Sequence, residues 1–355
     1  MNIVPILKKA VEEGASDIHL TVGVPPIIRV DGDLHPLKFP VCTRDTIIDM
    51  IYSVINDKQK ATFEEKWELD ASLEIQGVGR FRMNLHRQRG NVEGAFRIVN
   101  EEILSPEQLG IPDKLVELSQ RPGGLILITG PTGSGKTTTL ATLIDHINRE
   151  RRVLIITIED PIEYLHRHRR GLVKQREVGQ DTMCFSEALK RALRQDPDVI
   201  CIGEMRDLET ISTALTAAET GHLVMATLHT PDVLQTIDRI IDVFPPHQQN
   251  QIRIQLANSL LAVMSQKLLP LLGKNGRVLG TELLVANPAA RRIIRAEKTE
   301  QLFTLLQTST GEGMYSFDQN ITHLFEQGLI SLSQAMKHMK FTDSLKNIRP
   351  GETNP

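Results

Sequence analysis

Cysteine is scarce in this chain, with Cys42, Cys184 and Cys201 the only three. They are odd in number and far apart, which excludes a disulfide framework and a zinc site built on paired cysteines and fits a reducing compartment. Aromatic residues make up 4% of the sequence, with a single tryptophan, so there is little surface on which nucleic-acid bases can stack. A strong charge of either sign is also missing, since 41 basic against 44 acidic residues leave a formal charge of -3. No overall positive field exists to hold a phosphate backbone, and only a local basic groove stays open. No run approaches the roughly 20 apolar residues of a membrane span. Charges interrupt the opening MNIVPILKKAVEEG before a signal-peptide core can form. These absences predict a cytoplasmic protein that binds no nucleic acid and meets a membrane only through a partner.

What is present is an ordinary globular composition, 40% hydrophobic and 24% charged over 355 residues, enough for two domains with separate cores. Ile3, Ile6, Leu7, Ala10 and Val11 predict a first helix. Asp31-Gly32 between two apolar runs predicts a hairpin turn, residues 43–66 read as helical, and ASLEIQGVGRFRMNLHRQRGNVEGAFRIV reads as strands ending near Val99. NEEILSPEQLGIPDKL lacks periodicity and reads as a linker, a pivot over residues 100–111. From Gly124, the apolar runs GLILIT, RVLIITI, DVICIG and HLVMATL alternate with helical stretches, the pattern of a parallel α/β sheet. Beyond Leu228, helical periodicity covers 233–243, 248–269, 289–307, 318–327 and 332–339, with RVLGTELLV as one strand. The expected division is an α+β domain over 1–100, a linker over 101–115, an α/β core over 116–287 and a helical region over 288–355. YLHRHRRGLVK reads as a solvated basic loop, with a face toward a partner or a pore as the alternative.

GPTGSGKT fits the phosphate-binding pattern G-x-x-x-x-G-K-[ST] in full, between a strand and the helical run that begins with Thr138. Gly130, Pro131, Thr132, Gly133, Ser134 and Gly135 supply backbone N–H groups to a phosphate at the positive end of a helix. Lys136 reaches the β- and γ-phosphates and the Thr137 hydroxyl ligates a metal, which implies ATP and Mg2+. Glu204 emerges from the tip of VICIG, where parallel sheets bind ligands, and is the candidate base. Gly203 stands where a metal-directing aspartate is usual, leaving metal support to Thr137 and other carboxylates. TIEDPIEY puts Glu159, Asp160 and Glu163 at another strand tip, with Asp160 and Glu163 as candidate metal ligands; simple capping of a loop is the alternative.

His222 and His229 bracket one strand, and seven steps at 3.3 Å span about 23 Å, too far to share one phosphate. His229 reads as the γ-phosphate sensor, near Thr227 and Thr230. His222 reads as a hydrogen-bonded fastener at the far edge or at a subunit interface, with a packed core histidine as the alternative. Arg80, Arg82, Arg87, Arg89 and Arg97 lie on or between strands of the first domain, either on a solvated face or as arginines supplied to a neighbour's γ-phosphate. In GRFRMN, alternation gives Arg80 and Arg82 a common face, so both can serve one site, which implies a ring.

SDIHLTVGVPPIIRVDGDL, GPTGSGKTTTL, TIEDPIEY, RQDPDVICIGEMRDLETISTALTAAETGHLVMATLHT and TIDRIIDVFP resemble the secretion ATPase superfamily and, within it, the PilT-type type IV pilus retraction ATPases. The resemblance runs from the start to about Met336. It implies a PAS-like α+β domain, a RecA-like P-loop ATPase domain with a helical C-terminal segment, and a homohexamer acting on an inner-membrane pilus platform protein. It further implies Glu204 as base, Glu163 as a water- or metal-orienting residue, and His222 and His229 as histidine-box residues. Arg82 and Arg97 are the candidate trans arginines, and Arg80 and His222 are counted as candidate nucleotide contacts. Extension and secretion members carry an additional N-terminal domain and a four-cysteine zinc insertion. This chain opens at the PAS-like region without paired cysteines, so retraction is favoured over extension or secretion. NPAARRIIRAEKTEQL departs from the retraction pattern AIRNLIRE at Arg292 and Ala296. A RecA-like nucleic-acid motor and a nucleotide-gated module with negligible turnover are the alternatives from other classes.

Overall fold

Helix α1 (Val4–Glu12) begins with proline in its first turn, where a missing N–H breaks no helical bond, and it buries Ile6, Leu7 and Ala10. The structure, a computed structural model, describes residues 1–30, 32–99, 102–273 and 276–342. Contacts divide the chain into two compact units, Met1–Glu102 together with Pro161–Leu165, and Ile103–Asp160 together with the chain from His166.

In the first unit, β1 (Asp17–Leu20), β2 (Ile27–Val30) and β3 (Asp33–Pro36) precede two helices, α2 (Arg44–Tyr52) and α3 (Asp57–Lys66). The hairpin signal falls between β2 and β3, with Asp31 outside the described residues. The continuous helix expected over 43–66 is two helices, because Asn56 accepts from Gln59 N–H and starts a new one through a capping box. Strands β4 (Glu68–Ile75), β5 (Gly79–Gln88) and β6 (Asn91–Val99) complete a six-stranded antiparallel sheet in the order β3-β2-β1-β6-β5-β4. Phe81, Met83, Leu85 and Phe96 form one face and pack with Ile47, Met50, Ile51 and Phe63. Each such fully buried side chain contributes about 1.5–3 kcal/mol.

The second unit takes in most of the expected linker. Helices α4 (Pro106–Leu109) and α5 (Asp113–Ser119) fold onto it, and Ile111, Leu115 and Leu118 enter its core. Asn100 and Glu101, part of the expected pivot, lie outside the described residues. Then follow β7 (Gly124–Thr129), α6 (Lys136–Glu150), β8 (Leu154–Glu159), β9 (Leu172–Glu177), α7 (Phe185–Ala192), β10 (Val199–Ile202), α8 (Leu208–Glu219), β11 (Leu223–Leu228), α9 (Val233–Asp242) and α10 (Pro246–Ser259). The sheet order is β13-β12-β7-β11-β10-β8-β9, where β12 is Leu260–Pro270 and β13 is Arg277–Val285. All pairs are parallel except β12 with β13. Every residue of β7, β10 and β11 is buried, as central strands covered on both faces require.

Three expectations change here. Residues 260–269, the end of the helix expected over 248–269, form β12, because LLAVM pairs with β7 on one side and β13 on the other. The guanidinium of Arg291 ends α10 by donating to the carbonyls of Ala257, Asn258 and Leu260. Residues 289–307 form two helices, α11 (Pro288–Arg295) and α12 (Gln301–Thr308), separated where Glu297 takes a left-handed backbone at φ 58°. Ala290, Ile294, Leu302 and Leu306 belong to the main core, so these helices are no separate body. The last three residues of the basic loop, Leu172, Val173 and Lys174, begin the edge strand β9. Helices α13 (Phe317–Glu326) and α14 (Leu332–His338) pack on Leu269 in a smaller core of their own. Among the described residues no helix is long and apolar enough to cross a membrane.

Candidate active site

Parallel register aligns the strand ends: Thr129 pairs with Leu228, and Ile202 with both Ala226 and Ile158. The loops after β7, β10 and β11 therefore leave one edge of the sheet together. Gly130–Thr137 occupies the first, and Lys136, Thr137 and Thr138 form the opening turn of the 15-residue α6. Lys136 Nζ donates to the carbonyls of Gly130 (2.7 Å) and Pro131 (3.0 Å). Gly135 is left-handed at φ 89°, which turns the loop into the helix.

The loop leans on β12, the strand sequence reasoning missed. A Cβ on Gly130 would lie 2.3 Å from the carbonyl oxygen of Gln266. Gln266 Nε2 donates to Ser134 O at 2.7 Å, and the Thr129 and Ser265 hydroxyls are 2.7 Å apart. Nothing in the motif's spacing pointed to Ser265 or Gln266; only the strand pairing reveals them.

Glu204 leaves β10 with its side chain 19% exposed, and one carboxylate oxygen lies 3.2 Å from His229 Nε2. The other accepts from Arg206 Nη2 at 2.6 Å. His229 Nδ1 is 3.4 Å from the Thr132 hydroxyl, so phosphate loop, histidine and carboxylate form one chain of contacts. Burial raises the Glu204 pKa, but the Arg206 hydrogen bond and the charges of His229 and Arg206 outweigh it, and the net direction is downward. Arg206 is a site residue that the sequence analysis did not single out; its position two residues after Glu204 in GEMRD was the available signal. Gly203 is tight, since a Cβ there would lie 3.2 Å from Ile158 O and 3.3 Å from Glu159 Cα. An aspartate in that place would press on the end of β8.

The acidic stretch is dispersed. Glu159 is buried, accepting from the Thr157 hydroxyl (2.6 Å) and Gln175 Nε2 (3.0 Å), and Asp160 is exposed in the second unit. Glu163 belongs to the first unit, where it lines a cavity of about 260 Å³ with Arg82, Arg97 and Tyr164. Arg82 and Arg97 are direct cross-strand partners, and Arg97 Nε holds Asp17 at 2.9 Å. Two like charges in register repel, and Asp17 and Glu163 supply the opposite sign. Arg80 does not join them: it is 7% exposed and directed to its register partner Glu74, 3.9 Å away. Arg87 sits over the Trp67 ring.

His222 also leaves the nucleotide set of its own chain. It precedes β11, seven positions before His229, and its Nδ1 lies 3.1 Å from Ala217 O near the end of α8. Its carbonyl accepts from Gly124 N–H at the start of β7.

The family model described as "Type II/IV secretion system protein" matches residues 1–337. The chain belongs to that family. The chain is 46% identical to the type IV pilus retraction ATPase PilT of Pseudomonas aeruginosa, over 97% of this chain and 100% of that protein. It is 45% identical to a twitching motility protein of Neisseria gonorrhoeae, over 90% of this chain and 86% of that one. A crystal structure of the pilus retraction motor PilT with bound ADP superposes with a TM-score of 0.92 at 50% identity, covering 98% of this chain and 100% of the other. Within this family member, the loop after β7 and the carboxylate after β10 meet at one sheet edge, as the sequence motifs imply.

Proposed function

We propose that this chain is the ATP-hydrolysing motor of type IV pilus retraction, working as a homohexamer on an inner-membrane platform protein. It resides in the cytoplasm and touches the membrane only through that partner. Membership of the family and the likeness to pilus retraction ATPases support the biological role. The chemistry rests on one observation, the Glu204 carboxylate held between Arg206 and His229 while His229 touches the phosphate loop.

Nucleotide binding moves Lys136 from the loop carbonyls to the β- and γ-phosphates. Glu204, kept ionised at neutral pH, takes a proton from the attacking water. His229 exchanges Thr132 for the γ-phosphate and so reports its presence to Glu204. The Thr137 hydroxyl, half-buried beside Lys136, suits Mg2+, which in such sites takes most of its ligands from water and phosphate. Among the described residues no three carboxylate, histidine or cysteine side chains form an all-protein cage. Bound there, the metal would neutralise charge on the β- and γ-oxygens. Arg82 and Arg97 serve the adjacent protomer's nucleotide, with Glu163 orienting them, and their engagement and release drive domain movement.

Glu204→Gln tests the assignment: turnover falls by about 10²- to 10⁴-fold while ADP affinity holds. Unchanged turnover would remove Glu204 as base. In cells, loss of the gene leaves long, immobile fibres, whereas bald cells would assign the motor to pilus assembly.

A further inference from the structure

A buried carboxylate outside the nucleotide site gathers two helix starts. Glu282, on β13 and 3% exposed, accepts from Val233 N–H (2.9 Å), the first residue of α9, and from Phe317 N–H (3.4 Å), the first residue of α13. Asp232, 5% exposed, caps α9 by accepting from Gln235 N–H at 2.9 Å. Lys340 Nζ lies 3.2 Å from the same Asp232 carboxylate. The chain around Lys340 is itself fixed, since the N–H groups of Lys340 and Phe341 donate to the two oxygens of Asp318, each at 2.8 Å. Phe341 packs against Phe303, with ring centroids 5.8 Å apart.

The first turn of α9 is thus fastened from the sheet by Glu282 and from the far C-terminal segment by Lys340. Only Thr230 and Pro231 separate His229 from Asp232. Two carboxylates beside one helix start repel, and the Lys340 ammonium supplies the charge that lets both stay. Lys340 lies three positions beyond residue 337, where the family match stops.

We infer that Lys340 and Glu282 are positioning residues that hold the start of α9, and through it His229, in contact with Glu204. This rests on the role proposed above for His229. The helical C-terminal segment is then coupled to turnover without touching nucleotide.

The experiment uses the full chain with Lys340→Met and Lys340→Arg, alone and combined with His229→Ala. Lys340→Met lowers ATP turnover by about 3- to 10-fold with KM changed less than about twofold, Lys340→Arg restores it, and Lys340→Met adds nothing once His229 is alanine. Hydrogen exchange of the Val233 and Leu234 amides becomes about 10-fold faster in Lys340→Met. Unchanged amide protection, normal turnover of Lys340→Met, or an undiminished effect in the His229→Ala background would each overturn the inference. Normal turnover of His229→Ala alone would instead refute the sensor role, and the amide exchange would then decide the strap by itself.

Discussion

Replacing Gln266 with leucine keeps the volume of a fully buried side chain and removes the donor that holds the Ser134 carbonyl at 2.7 Å. Ser134 is 3% exposed, so water cannot easily take over. An orphaned buried acceptor costs about 1–3 kcal/mol. If that cost falls on the phosphate-binding shape of the loop, ADP affinity drops by about 5- to 140-fold, at 1.4 kcal/mol per factor of ten. Any part carried by the whole unit appears as a lower melting midpoint, about 2–4 °C per kcal/mol for a body of this size. Calorimetric titration with ADP and a thermal melt of the same preparation measure both. An affinity and a midpoint that both match the unsubstituted protein would refute β12 as the wall that shapes the phosphate loop.

Two further outcomes follow from charge. Arg206→Ala leaves burial of Glu204 less opposed, so its pKa rises and the acid limb of the turnover-pH profile moves toward neutrality; a limb that stays put contradicts the cause assigned to the downward shift. Burial pushes His166 down to about 4 from 6.5, so the unfolded chain binds the extra proton between those values. Stability from keeping His166 neutral is complete above about pH 6.5 and is lost as pH falls toward 4, by up to about 3 kcal/mol. His166→Gln flattens this dependence in denaturant titrations, and an unaltered slope would exclude it.

The phosphate loop was legible because its spacing, flanking strand and following helix are all local. The separation of His222 from His229 was legible for the same reason, since strand length alone sets it. Residues 260–269 misled because a short apolar run fits a buried helix and a buried strand equally, and only pairing with β7 and β13 decides. Alternation correctly gave Arg80 and Arg82 one face, but the partner opposite, Glu74, decides which guanidinium is occupied. Glu163 looked like a companion of Asp160 three residues earlier. Its place beside Arg82 and Arg97 depends on chain segments some 80 and 65 residues away, which no local pattern contains.

Mixing two inactive proteins tests most directly whether each site is shared between neighbours. Glu204→Gln protomers keep their arginines, and Arg82→Ala/Arg97→Ala protomers keep their carboxylate. In rings assembled at random from equal amounts, half of the sites carry Glu204 and half of those adjoin intact arginines, so about a quarter of full ATP turnover returns. No recovery at any mixing ratio, in rings shown to contain both proteins, would contradict the shared site.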